Sequence, residues 1–489
     1  MRYRPLPACA RGVLSITMTS PKRPNVLLIT ADQWRGDALS GAGHPVVRTP
    51  YLDELAARGA RFDRAYSATP SCIPARAALH TGLSQRSHGR VGYQDGVAWD
   101  YPVTMAGEFG RAGYQTRAIG KMHVYPERHR IGFDEVVLHD GYLHFARDRR
   151  RDPRLHDDYR AWLARRTGDP GADEAALGLQ CNSVVARPWD GPEALHPTNW
   201  VVTEAVDFLY RRDPTAPFFL NLSFHRPHPP YDPPAWAFEQ YLSAPPYEPV
   251  VGDWTGTYEG WRNDARADAN VAVYDPVTAH RARAGYFGHM SHIDAQVNYF
   301  LEVLAEFGEL DDTWICFTSD HGEMLGEHHM WRKAYPYEGS SRVPMLLAGP
   351  GLPGGVVSDE VVELRDVMPT LLAAAGVDTP TVDGSSLLPL ARGASGGVRE
   401  YLHGEHQLFG QSMHWITDER YKYVWLSADG REQLFDLRAD PAETRDLAAA
   451  ETDALARQRA RLVAELDGRP EGYVEDGGLV AGREALTLL

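Results

Sequence analysis

Cysteine is scarce in this chain. Cys9, Cys72, Cys181 and Cys316 are scattered over 489 residues with no Cys-x-x-Cys spacing, so neither a disulfide framework nor a structural zinc site is indicated. A reducing compartment fits, and a cytoplasmic location is expected. Basic charge is also short, because 50 Lys and Arg face 66 Asp and Glu and leave a formal charge of −16. That argues against non-specific nucleic-acid binding, which depends on a basic face. An anionic substrate must instead be drawn by a local cluster of Lys, Arg and His. No segment approaches the roughly 20 apolar residues of a membrane span, and there is no internal repeat. The amino terminus makes a poor signal peptide: the apolar stretch from Gly12 to Met18 is short, and Pro5 and Pro7 interrupt what precedes it. Met18 is the expected start, and residues 1–23 are expected to be a disordered or untranslated extension.

What is present reads as a large α/β protein. At about 150 residues per domain the length suggests roughly three units, although large α/β domains often absorb such length alone. The run from Asn25 to Thr30 has the pattern of a parallel strand covered on both faces, and it leads into Asp32-Gln33. Polar side chains at a strand's carboxyl end lie where open α/β sheets bind ligands. Thr49-Pro50 to Gly59 reads as a helix with a Thr cap, Pro first and Gly at its end. A short strand within Gly113 to His123 delivers Lys121 and His123, and alternation along an extended chain places these two on one side. From Tyr125 to about Ala216 the chain is polar and irregular, the pattern of an insertion that walls a pocket.

The strand Pro217 to Phe224 runs into His225-Arg226-Pro227-His228-Pro229-Pro230, where prolines stiffen the loop and hold the imidazoles. Ile293, Val297, Phe300, Leu301 and Leu304 form a helical stripe between Tyr286 and Phe307. Trp314 to Thr318 is a second buried strand, ending in Asp320-His321-Gly322, so that two strand ends distant in sequence can assemble one site. Trp331-Arg332-Lys333 follows. From about Val398 the chain changes character, with strands at Tyr401 to Glu405 and Tyr421 to Trp425 and a helix over Leu447 to Leu466.

The stretch from Tyr66 to Gly82 is the one around which these elements are arranged. Cys72-x-Pro74-x-Arg76 leads into an Ala-rich helix closed by Thr81-Gly82, and a helix start there aims free N–H groups at whatever Cys72 carries. Taken alone, such a cysteine is more often a small buried hydrophobe beside a turn. Cys72-x-Pro74-x-Arg76 with Thr81-Gly82, followed by the run Gly113 to His123, resembles the two signatures of type I, formylglycine-dependent sulfatases of the alkaline phosphatase superfamily. Ile73 and His80 depart from the small and apolar residues usual at their places. The resemblance runs from about Pro24 to Leu447. It implies a large, mostly parallel central sheet flanked by helices over residues 24–397, and a smaller α+β subdomain with a short antiparallel sheet over 398–489.

The same resemblance implies a mechanism. Formylglycine made from Cys72 attacks the sulfur of a sulfate ester, His228 helped by Lys333 protonates the leaving alcohol, and His123 takes the proton that lets sulfate leave. Arg76 holds the nucleophile, while Lys121 and Lys333 face the sulfonyl oxygens. Asp32, Gln33, Asp320 and His321, with the side chain at 72, are the expected ligands of one divalent metal. Calcium is the family default, and the nitrogen ligand admits manganese or magnesium. The Asp-Gln and Asp-His pairs are similar to those of the choline sulfatase and phosphonate monoester hydrolase branches. Expected partners are a sulfated small molecule or glycan and a formylglycine-generating enzyme, with no nucleic acid and no membrane. The nearest rival is phosphonate monoester or phosphodiester hydrolysis on the same scaffold. A non-catalytic sugar-binding protein and a phosphatase or phosphomutase are remoter. Specificity is expected in the 125–216 stretch, the His225 to Asp232 loop and the segment around His403 to His414.

Overall fold

The computed structural model describes residues 23–141, 156–172 and 179–489. The expected amino-terminal extension with its Met18 start, Cys9 and the charged run 147–154 lie outside the described residues. In chain order the strands are β1 (Asn25–Asp32), β2 (Ala60–Phe62), β3 (Ala65–Tyr66), β4 (Gln115–Gly120), β5 (Glu135–Leu138), β6 (Phe218–Pro227), β7 (Thr313–Ser319) and β8 (Arg342–Val343). They continue as β9 (Met345–Ala348), β10 (Val356–Ser358), β11 (Val362–Glu363), β12 (Leu402–Leu408), β13 (Gln411–Thr417), β14 (Tyr421–Leu426) and β15 (Glu432–Asp436).

Eight of these form one sheet in the order β10-β2-β9-β7-β1-β6-β4-β5. Five of its seven pairings are parallel, and only those of β9 with β2 and β7 are antiparallel. Every residue of β1 is buried, and its alternate side chains feed two separate cores. Leu27, Ile29 and Ala31 join the core beneath the helices Pro50–Ala57, Pro197–Arg211, Ala235–Leu242 and Pro276–Glu306. Val26 and Leu28 join the core beneath Cys72–Thr81, Met105–Arg111 and Val367–Ala374. An uninterrupted apolar strand is what a sheet covered on both faces demands. The carboxyl-terminal sheet is antiparallel, in the order β12-β13-β14-β15. One face packs on the helix Thr452–Leu466 through Ile416, Tyr423, Trp425 and Leu462, and the other packs Met413, Trp415 and Val424 against Tyr335 and Tyr337.

Several local expectations are corrected. Thr49 does not cap its helix with a hydroxyl bond to the first turn, and its Oγ1 accepts from Ser40 N–H instead. The helix expected from Tyr286 begins at Pro276, where Asp275 accepts from the N–H groups of Val277 and Thr278. From Ala282 to Asp294 it is buried all round, including Gly285, Gly288 and His289, so this part shows no apolar stripe to read. The 125–216 stretch is not wholly an irregular insertion. β5 pairs with β4 at the sheet edge, and the helix Pro197–Arg211 buries Trp200, Val201, Ala205 and Phe208 in the core. Among the described residues no helix is long and apolar enough to cross a membrane.

Candidate active site

β1 and β7 are parallel neighbours in register, Ala31 beside Ser319, so Asp32-Gln33 and Asp320-His321 leave the sheet side by side. Opposite them the helix Cys72–Thr81 begins, with Cys72 as its first residue. The thiol lies 3.3 Å from His321 Nε2, 3.6 Å from Lys121 Nζ and 3.7 Å from Asp32 Oδ1. The helix end that carries it is the positive end of the macrodipole, which favours an anion there.

The charges around the thiol are paired. Lys121 contacts Asp32, and Arg76 donates to Asp320 at 3.0 Å, to the Lys121 carbonyl at 2.7 Å and to Ser223 Oγ at 2.8 Å. Burial alone would raise the Asp32 carboxyl, but Lys121, His228, His321 and Lys333 together hold it well below the usual range. His321 donates from Nδ1 to the Gly322 carbonyl at 2.9 Å. That leaves the Nε2 lone pair facing Asp32 at 3.4 Å and Asp320 at 3.7 Å. One ligand atom from each of Asp32, Cys72, Asp320 and His321 lies within 4.8 Å of the others, and all four residues are buried. Two carboxylates and an imidazole whose tautomer is fixed by a backbone carbonyl fit a divalent cation. Gln33 stands beside them with φ of 71°, its Oε1 accepting from Lys333 Nζ at 2.7 Å and its amide nitrogen donating to Glu323.

Two other groups of potential ligands among the described residues suit a cation less well. In the cluster of His403, Glu405 and His414, both oxygens of Glu405 are taken by Arg469 at 2.7 Å. In the cluster of His196, His289 and His292, His196 Nδ1 accepts from Thr198 N–H at 3.1 Å. This puts the proton on Nε2, where a ligand needs a lone pair.

Lys121 and His123 both reach the cavity, but not by strand alternation. β4 stops at Gly120, whose φ of 98° and close approach to Ser223 admit no side chain. The chain then turns so that His123 adopts φ of 56°, and Asp140 Oδ1 pins this turn by accepting from the N–H groups of Met122 and His123 at 2.8 Å each. His123 Nε2 lies 3.3 Å from the Tyr93 hydroxyl and 3.6 Å from Asp95. Burial works to lower the imidazole, yet Asp95 and Cys72 lift it above its ordinary value. His228 is the reverse case. Its Nδ1 donates to the Pro229 carbonyl at 2.8 Å, and burial followed by the Lys333 ammonium holds it well below the usual histidine range. The loop carrying it is braced by the buried Arg226–Asp232 pair, with bonds of 2.9 and 3.1 Å.

Cys72, Lys121, His123, His228 and Lys333 line one cavity of about 470 Å³. Arg76, on the same helix as Cys72, does not line it and is fully buried. The sequence reading missed Tyr93, Asp95, Asp140 and Asn270, which line the cavity too. Its only signal for Asp95 was the Gln94-Asp95-Gly96 turn. Phe409 and His406 come from the carboxyl-terminal sheet, and His406 Nε2 meets Ser71 Oγ at 2.7 Å beside the thiol. This arrangement can bind a tetrahedral anion against two ammonium groups while presenting imidazoles on two sides of it.

A family profile described as Sulfatase matches residues 24–377. The chain belongs to the sulfatase family. A second profile, N-sulphoglucosamine sulphohydrolase, C-terminal, matches residues 326–468 of this sulfatase. It is 46% identical to an arylsulfatase of Clostridium perfringens over 95% of this chain and 99% of that protein. It is 31% identical to a choline-sulfatase of Rhizobium meliloti over 88% of this chain and 83% of the relative. Among solved structures it resembles the phosphonate monoester hydrolase of Agrobacterium radiobacter, with a TM-score of 0.76, 27% identity and coverage of 90% and 95% of the two chains. The sulfatase is thus an enzyme, a hydrolase acting on sulfuric ester bonds, in a metal-dependent family with the alkaline phosphatase-like α/β fold.

Proposed function

We propose that this sulfatase releases inorganic sulfate from a sulfate monoester of a carbohydrate or a small alkyl or aryl alcohol. It does so with formylglycine made from Cys72 and one divalent cation, calcium before manganese or magnesium. The observation that carries the reading is the position of Cys72, at the start of a buried helix and within 3.3 to 3.7 Å of His321, Lys121 and Asp32. Held by Asp32, Gln33, Asp320, His321 and the side chain at 72, the cation would supply Lewis acidity toward the nucleophile and a sulfate oxygen. Formylglycine would supply two geminal hydroxyls, one to attack sulfur and one whose deprotonation expels sulfate.

The remaining work falls to the chain's own residues. Lys121 and Lys333 hold the sulfonyl oxygens, each worth roughly 3 kcal/mol by analogy with other oxyanion donors. Arg76, on the Cys72 helix, ties that helix to Asp320, the Lys121 carbonyl and Ser223. His228 is neutral in the free protein because burial and Lys333 disfavour its cation. A bound sulfate ester brings negative charge against both ammonium groups, so the imidazolium that protonates the leaving alcohol forms in the complex, a contribution of about 10²- to 10⁴-fold. His123, lifted by Asp95, accepts the proton that frees sulfate. The partners in this reading are a sulfated small molecule or glycan and a formylglycine-generating enzyme during maturation. The free Cys72, Cys181 and Cys316 support a reducing, cytoplasmic compartment.

A second reading, phosphonate monoester or phosphodiester hydrolysis, is favoured by the likeness to the Agrobacterium radiobacter hydrolase. Lys121 and His123 weigh against it, since the resemblance implies uncharged hydroxyl residues there in that branch. The test is the mass of the tryptic peptide carrying Cys72, from protein made alongside a formylglycine-generating enzyme, paired with sulfate release from a chromogenic aryl sulfate. A loss of about 18 mass units at that modified residue together with sulfate release is expected. Conversion with turnover of phosphonates alone gives the second reading, and a persistent thiol sinks the mechanism.

A further inference from the structure

Glu323 follows Asp320-His321-Gly322 and is fully buried. Among the described residues it has no ion-pair partner, and the charge is held by amide donors alone. Gln33 donates to it from the side-chain nitrogen, Leu325 N–H at 2.9 Å and Arg332 N–H from the backbone. A buried carboxylate without a counter-ion is costly unless its hydrogen bonds are complete. Here they tie together two segments that also carry strain. Gln33, Leu325, Arg332 and Ala334 all have positive φ, between 53° and 81°, and strain of this kind persists only where surrounding structure enforces it.

The chemistry of the Gln33 amide gives the arrangement a direction. A carboxylate only accepts, so the NH₂ end must face Glu323. An ammonium only donates, so the carbonyl end must face Lys333 Nζ, 2.7 Å away. Each end of the amide is therefore locked by a partner that admits one orientation. The same Glu323 fixes the backbone of Arg332, the residue before Lys333. We propose that Glu323 is a positioning residue for the leaving-group side of the reaction, aiming the Lys333 ammonium at the cavity through the Gln33 amide and the Arg332 backbone. The proposal rests on the sulfatase reading above, in which Lys333 assists His228 in protonating the leaving alcohol.

In Glu323→Gln the partner both donates and accepts, the Gln33 amide is free to turn its NH₂ toward Lys333, and the ammonium is repelled from its place. The test compares two sulfate esters, 4-nitrophenyl sulfate, whose phenolate leaves without a proton, and an alkyl sulfate, whose alkoxide does not. Because Lys333 also holds a sulfonyl oxygen, Glu323→Gln should lower kcat/KM for both esters, and for the alkyl ester by about 10- to 100-fold more than for 4-nitrophenyl sulfate. Lys333→Met should lower the alkyl-to-aryl ratio in the same direction, and adding Glu323→Gln to it should change that ratio by less than about 2-fold, because the two act as a unit. Formylglycine occupancy by mass should stay at the wild-type level in every variant, and because Gln33 is also placed on the cation every assay is run at saturating divalent metal. Equal losses on both esters or multiplicative effects in the double variant would each overturn the proposal. If Glu323→Gln does not fold, Glu323→Asp, which keeps the charge on a shorter arm, should show the split. Failure of both to fold would make Glu323 a support of the fold alone. A wild-type protein with converted Cys72 and no sulfate release would instead remove the sulfatase reading, and this proposal with it.

Discussion

The floor and the rim of the cavity are built on different terms. On the floor Asp32, Arg76, Asp320 and His321 are out of contact with solvent and each is engaged by named partners. At the rim the exposed fraction rises to 37% for the Asp95 side chain, 40% for Tyr93 and 64% for Phe409. The floor comes from strand ends and one helix start, elements held on both faces by core. The rim comes from turns and a hairpin tip. Charges on the floor are strong because they are desolvated and therefore cannot be removed singly, whereas rim groups are partly screened and replaceable.

The largest effect expected from this contrast is at the centre of the floor. Cys72→Ala should abolish sulfate release, on the order of 10⁵- to 10⁶-fold by comparison with loss of other covalent nucleophiles, and leave the melting temperature nearly unchanged. Residual turnover within about 100-fold of wild type would show that position 72 is not the nucleophile. Next comes the pair behind it. Arg76→Met strands the Asp320 carboxylate in the interior and should cost about 3–5 kcal/mol of stability, read as a drop in the midpoint of urea unfolding. A variant as stable as wild type would mean that solvent reaches the floor and that the contrast drawn here is false.

Beneath the floor lies a buried side chain with no hydrogen-bond partner at all, and it sharpens the comparison. His80, in the last turn of the Cys72 helix, has neither ring nitrogen hydrogen-bonded. Burial and then Arg76 push it down to about 3. An unfolded chain takes up a proton near pH 6.5 that the folded protein refuses until about pH 3. The folded state is therefore favoured fully above pH 6.5 and loses stability as pH falls toward 3. His80→Leu removes that proton uptake. Its stability relative to wild type should grow by about 2 kcal/mol between pH 7 and pH 5, and a gap independent of pH would mean that His80 is not buried uncharged.

Legibility in the sequence follows the same division. Asp32 and Asp320 could be read because each ends an apolar run that only a doubly covered parallel strand explains, and Cys72-x-Pro74-x-Arg76 because its signal is local. Lys121 and His123 both border the cavity, but strand alternation does not carry them there, since their turn depends on Asp140, which lies 17 residues beyond His123. Glu323 looked like any acidic residue after a Gly turn; only the fold brings Gln33 and Arg332 to it. The His403 to His414 segment could be singled out as lining the site but not resolved. The hairpin between β12 and β13 sets which of its residues point inward, and that register depends on pairing with β13, a strand that did not stand out in the sequence.

Phe409 is the sharpest case of a rim residue without a motif, and it carries the smallest effect. It sits at the tip of that hairpin with φ of 52°, a conformation that a bulky side chain adopts at a cost, followed by Gly410. Its ring is 5.3 Å from that of Trp261, edge to face, and it borders the cavity. A flat leaving group would gain one aromatic contact there, worth about 0.5–1.5 kcal/mol, and the sulfate itself would gain nothing. Phe409→Ala should therefore raise KM for an aryl sulfate by about 2- to 10-fold, leave kcat within about 2-fold, and change KM for a small alkyl sulfate hardly at all. The fold itself should not suffer, because an exposed residue with strained φ gives up little when shortened. A fall in kcat with unchanged KM would move Phe409 from the rim to the floor, and the division between a chemical base and a replaceable mouth would fail at the residue where it is easiest to test.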